Sequence, residues 1–196
     1  MDVAILLALQ SVRVDGLTQL MALLSALGNA GFCWFVIAAL MLFFPRSRSA
    51  GLVTALAVAC CDVLIACFLA GFVGRVGPFD AGIGVTAVAG VSRALCTFPS
   101  LHAATGAAAV AATGMLRGKV GAIPCGILAL AIAFARVFCG VSYPSDVLGG
   151  AVLGIVVGLV LSFAANQLLF AAVGGKAIAG GARRRESVGG GKHSRY

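Results

Sequence analysis

Two short stretches of this chain carry residue types that do chemistry. Residues 134–146 read F-A-R-V-F-C-G-V-S-Y-P-S-D, with a cation at Arg136, a hydroxyl at Ser142 and a carboxylate at Asp146. Residues 98–102 read F-P-S-L-H, with a hydroxyl at Ser100 and an imidazole at His102. Each stands at the edge of an apolar run. Polar and ionisable groups at such places are costly and mark sites. A serine attacks only with a base within hydrogen-bond reach, which makes His102 the partner that Ser142 would need.

The elements around these stretches follow from composition. The chain has 196 residues, is 61% hydrophobic and 10% charged, and its mean hydropathy is +1.10. A soluble domain of this size needs more charge to cover its surface. The expectation is an all-α, polytopic bundle of transmembrane helices in one membrane domain, residues 1–173, with a basic, disordered cytoplasmic tail at 174–196. The N-terminus has no basic region before its apolar run and does not read as a cleaved signal peptide.

A span takes about 20 apolar residues. Five are expected: 29–44, 50–73, the F-P-S-L-H stretch to Leu116, 120–139 and 147–173. Residues 3–27 are broken by Gln10, Arg13, Asp15, Gly16 and Gln19. They read as interfacial helices or as a sixth span. Gly150, Gly154 and Gly158 repeat every four residues, a pattern that lets two helices approach closely.

Basic residues test this topology. Ten of the fourteen fall on the side of Arg46, Arg48, Arg117, Lys119 and the tail; Arg13, Arg75, Arg93 and Arg136 fall on the other. The richer side is placed in the cytoplasm. Both site stretches then face the periplasm or exterior of a bacterial inner (cell) membrane. The net charge of +8 therefore reflects membrane orientation, and no nucleic-acid partner is expected. Most of the seven cysteines lie in apolar runs as small buried groups. Cys96 and Cys139 fall near the site, as free thiols or as a bridge. No metal-site spacing is visible, and no metal or cofactor is expected.

Three blocks together resemble the superfamily of type 2 phosphatidic acid phosphatases and vanadium haloperoxidases, whose pattern is K-x6-R-P, P-S-G-H and S-R-x5-H-x3-D. The middle block here is Pro99-Ser100-Leu101-His102; the last runs from Ala135-Arg136 through Ser142 to Asp146; the first falls on G-R-V-G-P-F, residues 74–79. The likeness covers about residues 11–170. It implies a phosphate pocket at the outer membrane face. In such enzymes a lysine and two arginines hold the phosphate. The last-block histidine attacks phosphorus, oriented by the aspartate, and the P-S-x-H histidine protonates the leaving oxygen.

Carried over, Ser100, His102, Arg136 and Asp146 match. The lysine position is Ala70, the first-block arginine position is Gly77, and the nucleophile position is Ser142. The other histidine, His193, and all three lysines fall on the cytoplasmic side. A phosphohistidine route therefore needs a group from outside the chain. Arg75, Arg93 and Arg13 are the substitute cations. The expected site is His102, Ser142 and Asp146 as the catalytic positions, with Arg75, Ser100 and Arg136 on the phosphate.

Three functions stay open. One is binding of a lipid phosphate head group, polyprenyl or glycerolipid, with hydrolysis weak or lost, as carrier, sensor or partner of an enzyme. Another is a lipid phosphatase with a rearranged pocket, acting on undecaprenyl pyrophosphate, phosphatidylglycerophosphate or phosphatidic acid. The third is a structural membrane protein. The partners expected are membrane lipids with phosphate head groups and the bilayer, with a second copy or a partner enzyme besides. Plainer roles compete at each residue: Arg136 snorkelling to the interface, Asp146 capping a helix, His102 hydrogen-bonded at its helix start. Asp62, alone in its apolar run, pairs with an arginine or lines a polar cavity.

Overall fold

The computed structural model describes residues 1–92 and 96–189; Arg93, Lys192, His193 and Arg195 fall outside them. Among the described residues the regular structure is entirely helical. Met1–Ser162 form one compact unit, and a second begins at Phe163. The described part of that second unit is the later course of a helix whose backbone continues to Gly189.

Helix α1 (Asp2–Ser11) and helix α2 (Asp15–Leu27) each carry an aspartate in the first turn, where it meets the positive end of the helix dipole. A tight turn at Asn29–Gly31 separates α2 from α3 (Phe32–Phe43). Ala30 and Gly31 both have positive φ. A Cβ at Gly31 would come within 2.6 Å of Val58, so only glycine lets the turn pack there. The chain bends by 56° at this break. Helix α3 stops at Phe44, whose extended backbone is what a residue before proline adopts.

Helix α4 (Arg48–Leu64) continues through a π-turn (Ile65–Leu69) into the short α5 (Ala70–Val73). Helices α6 (Leu101–Arg117) and α7 (Lys119–Phe138) join through Gly118 alone. Helix α8 starts at Pro144, the first-turn position at which proline is tolerated best.

Among the described residues, three segments are long and apolar enough to cross a membrane: Arg48–Val73, Lys119–Phe138 and Pro144–Leu168. The bent pair α2 and α3 makes a fourth if it counts as one span. The expected span at 29–44 corresponds to α3, the second half of this bent pair, and α1 is a separate short apolar helix. Helix α6, expected as a span, has 17 residues and is not among these segments.

Helix α6 is nonetheless the centre of the unit. Its buried residues are nearly all alanine, glycine and threonine. Trp34, Val58, Cys125 and Ile132 pack on it at Ala109. Ala57, Cys61 and Ile65 pack at Ala104 and Ala108, with Leu153, Val157 and Leu161 of α8. A Cβ at Gly154 would overlap the Ala104 carbonyl oxygen, and one at Gly158 would lie 2.7 Å from that of Ala108. Small residues thus face inward, where backbones touch. Large ones such as Leu56, Ile127, Leu130, Leu148 and Val152 face outward. This is how helices pack where the surroundings are as apolar as the core.

Candidate functional site

At one end of α6 the chain builds a cavity of about 390 Å³. Its wall is contributed by the α2–α3 break (Asn29, Ala30), the π-turn (Ile65, Ala66), the loop before α6, the start of α6, the last turn of α7 and Ser142. Four of the six residues singled out in the sequence line it: Ser100, His102, Arg136 and Ser142. Arg75 and Asp146 are not on that wall.

Arg136 is 4% exposed. Its Nη1 donates to Ser25 Oγ (3.1 Å) and to the Ser92 carbonyl (3.0 Å). Its Nε is buried and has no partner among the described residues. An orphaned charged donor is costly unless something fills it. Snorkelling to the interface does not describe a guanidinium this deeply enclosed.

His102, also buried, is in the first turn of α6, with Nε2 3.1 Å from Asn29 Oδ1. The amide oxygen is an acceptor, so it favours the tautomer with the proton on Nε2. Gly28 passes flush against the ring: a Cβ there would lie 2.7 Å from His102 Cδ2. Ser100 is the residue before α6 and its hydroxyl makes no capping bond. Its N–H donates to the Asp146 carbonyl (3.0 Å), which ties the start of α6 to α8. Gly150 permits this, since a Cβ there would overlap the Ser100 carbonyl oxygen.

Asp146 is fully buried. Its Oδ2 accepts the Tyr143 N–H at 3.1 Å, the return bond of a capping box at the start of α8. Its Oδ1 accepts from Arg75 Nη1 at 2.5 Å. Arg75 also donates to Ser145 Oγ (2.8 Å), pairs with Asp2 (3.4 Å) and lies over the Tyr143 ring at 4.1 Å. Ser145 Oγ donates to Asp2 as well. Arg75, expected on the phosphate, is therefore engaged by two carboxylates. A fully buried carboxylate needs a cation, and Arg75 supplies it.

The segment between α7 and α8 is held from its other end. Gly140 takes a positive φ of 73°, and the N–H of Val141 returns to the Arg136 carbonyl (3.2 Å), closing α7 as a left-handed cap does. Arg13, considered as a substitute cation, instead donates to the Phe138 carbonyl from Nε (3.1 Å) and Nη2 (2.7 Å), and to the Thr86 carbonyl (2.8 Å). All seven cysteines are free thiols, so Cys96 and Cys139 are not bridged. Burial pushes the Cys139 thiol up from its ordinary value, with Arg13 and Arg136 pulling the other way. It packs as a small apolar group. Asp62 pairs with no arginine among the described residues, and its buried Oδ1 has no partner there.

Sequence reasoning missed Asn29, Ser25 and Ser92, which position His102 and Arg136, and Asp2, which shares Arg75. Asn29 was legible only as the polar start of a span. Ser25 and Asp2 carried no signal, since each acts across more than 70 residues of chain.

Residues 49–169 match the family described as the PAP2 superfamily. The decaprenylphosphoryl-5-phosphoribose phosphatase of Mycobacterium tuberculosis is 32% identical over 164 residues, 82% of this chain and 88% of that protein. Among solved structures, a transmembrane PAP2 type phosphatidylglycerolphosphate phosphatase from Bacillus subtilis aligns with a TM-score of 0.69 at 26% identity, over 85% of each chain. Aquifex aeolicus LpxE aligns in fold with a TM-score of 0.65 at 20% identity, over 82% of this chain and 93% of its own.

Proposed function

This chain belongs to the PAP2 superfamily, and on that premise we propose that it binds the phosphate head group of a membrane lipid in the cavity beside Arg136, without hydrolysing it by a phosphohistidine route. The observation that carries this reading is the Arg136 side chain, buried on the cavity wall with its Nε unpartnered among the described residues. Ser100, Ser142 and His102 on the same wall supply further polar contacts. The start of α6 adds the partial positive charge of a helix N-terminus. The position that carries the attacking imidazole in the family pattern is Ser142. The carboxylate that would orient an imidazole is paired with Arg75. With both changes the pocket keeps anion-binding groups and lacks the nucleophile.

The cavity faces the outer side of the cell membrane, by the distribution of basic residues. A polyprenyl or glycerolipid phosphate reaches it from that leaflet. Catalysis in this family pattern needs cations to neutralise the phosphate and an acid for the leaving oxygen. His102 remains for the second task, and Arg136 alone serves the first among the described wall residues.

A second reading, a working phosphatase, is favoured by the relative at 32% identity, which is named as a phosphatase. Here Ser142 would attack with His102 as base, and the same imidazole would have to protonate the leaving oxygen.

The test is purification in mild detergent with mass spectrometry of bound lipid, alongside phosphate release from phosphatidic acid and undecaprenyl pyrophosphate. The expected result is a bound phospholipid that Arg136→Gln loses, with no phosphate released. Phosphate release that disappears with Ser142→Ala establishes the second reading instead. A protein that carries no lipid phosphate and binds none overturns both.

A further inference from the structure

The end of the bundle opposite the cavity carries a second charged surface. The cavity lies at the start of α6, at Ser100 and His102. Helix α6 has 17 residues and ends at Arg117, about 25 Å away at 1.5 Å per residue. There the α3–α4 connection holds Arg46 and Arg48, and the α6–α7 connection holds Arg117 and Lys119. No acidic residue occurs between Asp15 and Asp62 or between Asp80 and Asp146. Neither connection therefore brings a counter-charge of its own.

The fold joins these two connections. Arg117 Nη1 donates to the Arg46 carbonyl at 3.0 Å, across 71 residues of chain. Arg48 Nε donates to the Leu42 carbonyl near the end of α3, also at 3.0 Å. Both bonds end on neutral backbone oxygens. Among the described residues the ion pairs are those of Arg75, at the cavity end. An arginine has five N–H donors and a lysine three, so most donors of the four side chains remain for an outside partner. Two helices end at this face and two begin, so their dipoles nearly cancel, and the charge is that of the side chains. Gathering four like charges costs self-repulsion, which an anion relieves.

The surroundings say which anion. Phe43 and Phe44 flank the first pair of cations, Val120 and Ile123 the second, and all four are exposed. A free phosphate or a nucleic acid would answer the charge and leave this apolar rim uncovered. An anionic phospholipid answers both, with its phosphate on the cations and its chains along the rim.

We propose that this face holds the head group of an anionic phospholipid, within reach of Arg46 and Arg117, in the leaflet opposite the one that serves the cavity. The inference is independent of what the cavity binds.

The experiment uses the full chain in phosphatidylcholine nanodiscs with and without phosphatidylglycerol. Phosphatidylglycerol is expected to slow amide exchange at residues 44–50 and 115–122. Its affinity is read by titration into the detergent-solubilised protein, with bound lipids counted by native mass spectrometry. Arg46→Gln with Lys119→Gln removes two side chains that make no hydrogen bond among the described residues, so the fold is kept. Each lost cation should weaken phosphatidylglycerol about fivefold, and Arg46→Lys should restore it. Phosphatidylcholine should bind parent and variant alike.

Unchanged exchange at the two connections overturns the inference, as does a double variant that holds phosphatidylglycerol as the parent does. Protection confined to residues 98–102 and 134–146 also overturns it, and places the lipid in the cavity. If instead Arg183→Gln, Arg184→Gln and Arg185→Gln together abolish binding while the double variant has no effect, the tail is the site and the inference falls.

Discussion

Removing Arg75 while leaving Asp146 in place isolates a charge that the fold has fully buried. In Arg75→Met the stem stays and the guanidinium goes. Asp146 then keeps one hydrogen bond, from the Tyr143 N–H at 3.1 Å, and loses its only ion pair among the described residues. Breaking a buried pair from one side costs about 3–5 kcal/mol. The Arg75 side chain is 34% exposed and Asp146 0%, so water already screens one partner and the lower end, about 3 kcal/mol, applies. For a chain of this size, about 2–4 °C of melting temperature per kcal/mol converts that to a fall of about 6–12 °C in detergent. The double variant Arg75→Met with Asp146→Asn removes both charges and keeps an acceptor for Tyr143. Its loss should shrink to about 1 kcal/mol, the scale of a deleted hydrogen bond, less than that of Arg75→Met alone, which marks the two positions as coupled. Thermal unfolding of the four proteins of the cycle, followed by intrinsic fluorescence, measures it. If Arg75→Met melts within 2 °C of the parent, roughly 0.5–1 kcal/mol on the same scale, or if the double variant loses the sum of the singles, the ion pair is not what holds this segment.

Other outcomes follow from contacts of the same kind. Gly154→Ala would place a methyl against the Ala104 carbonyl, 2.8 Å from its carbon and 2.9 Å from the Ala108 nitrogen. Backbone cannot yield there, so overpacking should cost about 1–3 kcal/mol in the same melting assay, whereas Gly126→Ala, with nothing within 4 Å, should be neutral or slightly stabilising. Gly28→Ala drives a methyl against His102 and Ile132, 2.7 Å from each; lipid-phosphate binding should weaken severalfold, read by titration with phosphatidylglycerol, because the imidazole leaves Asn29. Arg13→Gln uncaps the end of α7 at Phe138 and should cost about 1–2 kcal/mol, seen as faster amide exchange at residues 138–141. Gly77→Arg, the substitution that would rebuild the family arginine, meets Phe79 at 2.7 Å and Thr97 at 3.1 Å already at its Cβ. It should lower the melting temperature without creating phosphate release.

What composition and pattern determined here is the class of molecule. A mean hydropathy of +1.10 leaves helices in a membrane as the way to satisfy the backbone. The blocks at Pro99–His102 and Arg136–Asp146 identify the family because those residues lie close together along the chain. The same local character made the Gly150–Gly158 face legible. Span lengths were less so. The break at Asn29–Gly31 and the shortness of α6 depend on what packs against them: Val58 forces glycine at 31, and α8 lies on the backbone of α6. The site partners were decided by tertiary structure alone. Arg75 meets Asp146 across 71 residues and Asp2 across 73; Arg136 meets Ser25 across 111; His102 meets Asn29 across 73. Propensity and periodicity act over a few residues. Which cation neutralises a buried carboxylate is settled only when distant helices close on one another.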